Sequence, residues 1–235
     1  KTFIATTLET DILRLENVHI TAEKANMTRT PIVVTGGTLS MRNVTIHSIE
    51  SFSPIIQLVS ASLLELDMCH FEGITLTDTP EAQSLGIVEL SVISTSWQSR
   101  LVISSSNFVN ITQYVIPRSL GGAVMYVLGC IDMKDSKVIN TNVIPLPNTN
   151  MRLTPLGGAL LMGGTFCQDA KISNSEFIGN SISTRDDMLR ATGGAISFLS
   201  SVGNTPFVIE GCNFTNNLAP LGGAVAAIFQ IPVLT

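Results

Sequence analysis

Short runs of four to eight residues, rich in Val, Ile, Leu, Thr and Phe, recur along the whole chain and are bounded by Gly, Asn, Ser or Pro. These runs have the length and composition of β-strands, and no window holds a sustained apolar pattern at helical spacing with caps. One apolar column, Val18, Val44, Phe71, Phe108, Val138, Phe177 and Phe214, advances in steps of 26, 27, 37, 30, 39 and 37 residues. Five residues before each of its members stand Leu13, Leu39, Leu66, Ile103, Met133, Ile172 and Ile209, all apolar. Three residues after stand Thr21, His47, Ile74, Ile111, Thr141, Asn180 and Asn217, so the last two coils read Phe-x-x-Asn.

A second signature is Gly-Gly-Ala followed by an aliphatic residue. It occurs at Gly121-Gly122-Ala123-Val124, Gly157-Gly158-Ala159-Leu160, Gly193-Gly194-Ala195-Ile196 and Gly222-Gly223-Ala224-Val225, in steps of 36, 36 and 29 residues. Gly86-Ile87-Val88 lies 36 residues before Gly122, with Ile55-Ile56 and Ile32-Val33 as glycine-free counterparts upstream. Repeats of this length that vary by insertion belong to solenoids, in which each coil covers the apolar face of its neighbour. The pattern predicts an all-β, right-handed parallel β-helix of about seven to eight coils with loop insertions. Residues 1–235 form a single segment of it, expected to be a piece of a longer repeat protein. The inserts Asn142 to Leu156, Ile182 to Thr192 and Asp78 to Leu85 are expected to project from one face.

Gly-Gly-Ala-Ile/Leu/Val alternating with Phe-x-x-Asn resembles the repeat of the chlamydial polymorphic outer-membrane proteins and of related surface proteins. The resemblance spans about residues 86–225 and rests on the four Gly-Gly-Ala sites, with Phe177 to Asn180 and Phe214 to Asn217 as strict Phe-x-x-Asn copies. At Phe71 and Phe108 the fourth position is Ile, and at Val138 it is Thr. The resemblance implies a secreted β-helical passenger that acts in adhesion to host cells.

Composition narrows the function classes. Charged residues are 13% of the chain against about 25% in an average soluble domain, and hydrophobic residues are 45%, which disfavours disorder. A net charge of −5 with 13 Lys and Arg supplies no basic field for nucleic acid. No apolar run reaches the roughly 18 residues of a membrane helix. No membrane span is expected in this segment.

Cys130 and Cys167 open the matching stretches Cys130-Ile131-Asp132-Met133-Lys134 and Cys167-Gln168-Asp169-Ala170-Lys171. They are expected on neighbouring coils at one lateral position, within disulfide reach of about 4.8 Å between rungs. The alternative there is a ladder of buried thiols. Cys69 and Cys212 each lie two residues before the Phe column and face inward, several coils apart. Sequons at Asn26, Asn43, Asn110 and Asn213 mark glycosylation candidates in a eukaryotic source, although the composition gives about as many by chance. Asn43 and Asn213 precede the inward column and should point outward.

Enzymes on this scaffold use paired carboxylates on adjacent strands as acid and base. Asp186-Asp187 is the single paired-Asp candidate, and it lies in an insert. Asp132 and Asp169 are expected to stack as part of a surface charge ladder with Lys134 and Lys171. His19, His47 and His70 read as solvated or turn histidines. No catalytic residue, metal site or cofactor is therefore assigned. The expected function is a structural or adhesive protein of the cell surface or extracellular space, whose rod presents loops or assembles into a filament. Its partners would be further copies or neighbouring repeats at the coil ends, or a host receptor or glycan. The alternative is a polysaccharide lyase or glycoside hydrolase of the pectin-lyase-like type, told apart by convergent Asp residues.

Overall fold

The computed structural model describes residues 4–6, 12–22, 30–78, 88–115, 119–146, 156–163, 170–183, 192–200 and 207–229. Every strand pairing among them is parallel, and each strand pairs with its equivalents one coil earlier and one coil later. The first sheet stacks eight strands: Ile4–Thr6, Ile32–Thr35, Ile56–Val59, Ile93–Thr95, Met125–Val127, Leu160–Met162, Ile196–Ser200 and Val225–Phe229. The second stacks seven: Ile12–Glu16, Thr38–Arg42, Leu63–Asp67, Arg100–Ser104, Cys130–Lys134, Lys171–Ser173 and Val208–Glu210. The third also has seven: His19–Thr21, Thr45–His47, His70–Glu72, Asn107–Val109, Lys137–Ile139, Glu176–Ile178 and Asn213–Thr215. A five-stranded fourth sheet (Glu50–Ser51, Thr75–Thr77, Thr112–Val115, Asn142–Pro145, Ser181–Ile182) and a three-stranded fifth (Val88–Glu89, Ser119–Gly122, Leu156–Gly157) complete the coils. The chain is a parallel β-helix of seven coils, with the first-sheet strand of an eighth.

Two corners repeat in every fully described coil, and each is made by one residue with positive φ. Between the second and third sheets stand Asn17, Asn43, Met68, Ser105, Asp135, Asn174 and Gly211, with φ from 48° to 61°. Between the third and fourth stand Ser48, Gly73, Asn110, Asn140, Gly179 and Asn216, with φ from 54° to 64°. Asn, Asp, Ser and Gly dominate because a short polar side chain, or none, tolerates the left-handed conformation. Each corner turns the chain without leaving the rung, because its N–H donates to the next coil; Asn43 N–H, for example, donates to the Asp67 carbonyl at 2.9 Å.

Side chains alternate inward and outward, and the inward set fills the lumen. Phe71 and Phe108 stack with centroids 4.8 Å apart and planes 14° from parallel, and Phe177 and Phe214 do so at 5.0 Å and 8°. Val138 sits in register between Phe108 and Phe177, so a small residue separates the two aromatic pairs. Burying a Phe of this kind contributes about 1.5–3 kcal/mol.

The register departs from the expected columns in four places. The Phe column begins with Ile20 and Ile46 instead of Val18 and Val44, and its partner column with Leu15 and Met41 instead of Leu13 and Leu39. Residues two apart on a strand both face the lumen, so apolarity alone does not choose between them. Ile49, not His47, precedes Ile74 in the corner column, because Thr75 N–H donates to the Ile49 carbonyl. The first Gly-Gly-Ala copy is out of step by one residue: Met125, not Val124, pairs with Leu160. Gly122 pairs with Gly157, so the whole motif is shifted by one, and the Ala159 carbonyl accepts both Val124 and Met125 N–H as the Ala195 carbonyl accepts Ala159 and Leu160 N–H on the next coil. Finally, the fourth coil enters the first sheet through Ile93, while Val88 pairs with Ser119 in the fifth sheet.

The second glycine of Gly-Gly-Ala is closely packed at Gly122, Gly158 and Gly194, where a Cβ on Gly194 would lie 2.1 Å from the Gly223 carbonyl oxygen. A Cβ on Gly122 would lie 2.2 Å from the Ala159 carbonyl oxygen, and one on Gly158 would lie 1.9 Å from that of Gly194. Ala123, Ala159 and Ala195 beside them are fully buried, whereas Ala224 and Gly223 lie in a more open last coil.

Candidate functional site

Among the described residues most charges lie on the outer faces of the second and third sheets, and three pairs run along the axis. Arg42 and Asp67 are in register on adjacent coils, with Nε 3.5 Å from Oδ2, and Ser104 on the following coil donates to Asp67 Oδ1 at 2.8 Å. Lys137 and Glu176 are in register at 3.0 Å, and Lys171 reaches Glu210 at 2.6 Å. The hydrogen bond and charge of Glu210 hold the Lys171 ammonium above its ordinary range. Asp132 has Lys171 as its in-register neighbour on the next coil, and Asp169, expected to stack on it, lies outside the described residues. A lysine there relieves the repulsion that two stacked carboxylates would carry.

The three histidines form one patch on the third sheet. His19 Nε2 faces His47 Nε2 at 2.5 Å across the first and second coils, their rings edge to face at 78°. His70 bonds Glu72 Oε2 at 3.2 Å on the third coil. Sequence spacing set His19 and His47 near matching turns; their strands bring the two rings into contact. Among the described residues no three His, Cys, Asp or Glu side chains converge as a metal-binding group.

The sequons separate by environment. Asn43 is an exposed corner residue whose Nδ2 donates to Asn17 Oδ1 at 2.7 Å. Asn110 is an exposed corner residue that accepts from Asn140 Nδ2 at 3.5 Å, and Asn213 is exposed and accepts from Thr215 Oγ1 at 3.1 Å. Asn26 lies outside the described residues, as do Asp186 and Asp187.

Cys69 and Cys212 are free thiols, and Cys130 is disulfide-bonded. Cys167, the partner expected for it, lies outside the described residues. Burial pushes the Cys69 thiol up, against the backbone hydrogen bonds at Val44 and Asp67 that pull it down.

Two buried polar ladders run inside the corners, and sequence reasoning named only part of them. Cys69 N–H donates to Ser106 Oγ at 3.0 Å, Ser106 N–H to Ser136 Oγ at 3.1 Å and Ser136 N–H to Ser175 Oγ at 3.2 Å. Each Ser hydroxyl donates to the carbonyl two residues before it, at 2.7 to 2.8 Å. The signal was present: Ser106, Ser136 and Ser175 each stand two residues before the Phe column, as the two cysteines do. At the other corner Thr141, Asn180 and Asn217 form the second ladder. These groups hold coil to coil and present nothing to a ligand.

The three long insertions are anchored at one point of the repeat. The segments 79–87, 147–155 and 184–191 each follow a fourth-sheet strand, leaving after Asp78, Leu146 and Ser183 and returning at Val88, Leu156 and Thr192. No helix among the described residues is long and apolar enough to cross a membrane. No protein-family profile, curated protein or solved structure matches the chain.

Proposed function

We propose that this chain is a structural and adhesive segment of an extracellular or cell-surface protein, a stiff rod that presents its insert loops along one edge. The observation that carries the reading is where those inserts are anchored. The described residues before 79–87, 147–155 and 184–191 belong to the ends of fourth-sheet strands, the same point of the repeat on three coils. Binding concentrates on loops held by a rigid scaffold. The rest of the polar surface supports a scaffold role: the charges of the second and third sheets pair between coils at Arg42–Asp67, Lys137–Glu176 and Lys171–Glu210. A bridge from Cys130 to Cys167 and glycans at Asn110 or Asn213 fit an oxidising, exported setting. A host receptor, a glycan or further copies of the rod are the partners in this reading.

The test presents the whole chain on beads to cultured cells and to a glycan array. Retention that is lost when 79–87, 147–155 and 184–191 are replaced by short Gly/Ser linkers supports the reading. New reducing ends or unsaturated uronates released from polygalacturonate, with no retention, would replace it with the pectin-lyase-like alternative.

A further inference from the structure

We propose that His19 and His47 form a two-imidazole site for a divalent transition ion of the zinc, copper or nickel class, clasping the first coil to the second on the outside of the rod. This inference does not depend on the function proposed above.

The geometry is built by the parallel register. His19 pairs with Thr45, and Thr21 pairs with His47, so the two histidines sit diagonally on adjacent third-sheet strands, both facing outward. Their Nε2 atoms point at each other at 2.5 Å, and the ring centroids are 4.5 Å apart. Two neutral imidazoles that meet nitrogen to nitrogen share one proton, one ring donating and the other accepting. With both Nε2 atoms unprotonated, the same approach aims two lone pairs at one point, where an ion can take both. At zinc–nitrogen distances of 2.0–2.1 Å in tetrahedral geometry the two nitrogens stand about 3.3 Å apart. His19 is exposed and His47 half-buried on the outer face, so small torsional shifts open the pair by the required amount.

A second contact accommodates the ligating tautomer. His47 Nδ1 lies 3.1 Å from Ser48 Oγ. With the Nδ1 proton donated to that hydroxyl, the Nε2 lone pair of His47 is left for the ion, the arrangement by which metal-binding histidines are held. Imidazole nitrogen is a ligand suited to zinc, copper and nickel, whereas calcium and magnesium prefer oxygen. Glu72 is in register with His47 on the third coil, but His70 holds its carboxylate at 3.2 Å. No third protein ligand converges among the described residues, so water or an incoming donor completes the coordination.

The experiment is a calorimetric titration of the whole chain with Zn²⁺, repeated with Cu²⁺ and Ni²⁺, alongside NMR of the imidazole signals. The expected result is one saturable equivalent that shifts the His19 and His47 ring resonances and raises the melting temperature. His19→Ala and His47→Ala each lose that equivalent while His70→Ala keeps it; His19→Gln and His47→Gln, checked for fold by circular dichroism, repeat the loss with a polar side chain retained. The proposal is overturned by a wild-type chain with no saturable binding of any of the three ions, by binding that survives the double His19→Ala/His47→Ala change, or by equal loss in His70→Ala.

Discussion

Asn217 Oδ1 accepts two hydrogen bonds from Asn180 one coil below, from the backbone N–H at 3.1 Å and from Nδ2 at 2.9 Å. Asn180 in turn donates Nδ2 to the Val138 carbonyl at 3.0 Å and accepts the Thr141 N–H at 3.1 Å. Its side chain is fully buried and every polar group on it is used. The Phe-x-x-Asn repeat is thus a cohesion device: Phe fills the lumen, and Asn ties the backbone of its own coil to the side chain and backbone of the coils on either side.

Asn180→Ala is therefore expected to destabilise the rod by about 3 kcal/mol, because the Thr141 N–H and Val138 carbonyl lose buried partners. Asn217→Ala should cost roughly half as much, since Asn217 is only half-buried and water can replace it at the Phe177 carbonyl and at the two Asn180 donors. Urea midpoints of the two variants give the comparison. Equal midpoints would remove the ladder from the account of the corner.

The column of left-handed corner residues contains one misfit. Met68 has φ 53° at a position where the other six coils use Asn, Ser, Asp or Gly, and its side chain is 45% exposed with no lumen to fill. A left-handed backbone costs an ordinary L-residue roughly 1–2 kcal/mol. Met68→Asn and Met68→Gly should each raise stability by about 1 kcal/mol, read as a higher urea midpoint. Loss of stability in both would mean that the methionine makes contacts outweighing the strain.

The fold was legible in the sequence where coils are marked by bulk, and illegible where two neighbouring residues serve equally well. From Phe71 onward the column is unambiguous, because Phe or Val needs the lumen and the neighbours at two residues' distance are Cys, Ser, Gly or Asn. In the first two coils Val18 and Ile20, or Val44 and Ile46, are both apolar and both face inward, so periodicity does not choose the register. The one-residue shift at Met125 was hidden for a different reason: Gly121 and Gly122 look alike in sequence, and it is Gly122 that pairs with Gly157. The serine ladder was hidden because Ser between strands reads as a turn residue until the coils are stacked. The His19–His47 contact needed the diagonal of the third sheet, and no linear spacing contains it.

Gly-Gly-Ala is a packing signal only where another coil lies close. Gly158→Ala would place its Cβ 1.9 Å from the Gly194 carbonyl oxygen, a backbone atom that does not yield without moving a strand. The expected loss is about 3 kcal/mol, at the upper end for overpacking. Gly223→Ala meets nothing nearer than the Asn217 carbonyl oxygen at 3.4 Å and should change stability by no more than about 0.5 kcal/mol. Thermal melts of the two variants decide it, and a Gly223→Ala loss as large as that of Gly158→Ala would show that this last coil is packed from above.

The two free thiols sit at one corner of the repeat and differ in what covers them. Cys69 is fully buried, with Sγ donating to the Met41 carbonyl at 3.3 Å, whereas Cys212 is half-buried in the last described coil of its column. A disulfide reagent should therefore modify Cys212 first, and Cys69 only as the rod opens. The pH dependence follows from the burial that pushes the Cys69 thiol up. The unfolded thiol titrates lower than the folded one, so as pH rises the unfolded chain loses its proton first. The stabilisation is whole below the unfolded thiol's range and is lost as pH climbs through the raised folded value. Cys69→Ser should keep the fold, since a hydroxyl there repeats the bond that Ser106 makes to the carbonyl two residues before it, and it should flatten the alkaline limb of stability. An unchanged alkaline limb in Cys69→Ser, or labelling of Cys69 ahead of Cys212 in the native chain, would place the titrating group elsewhere and the Cys69 corner open to solvent.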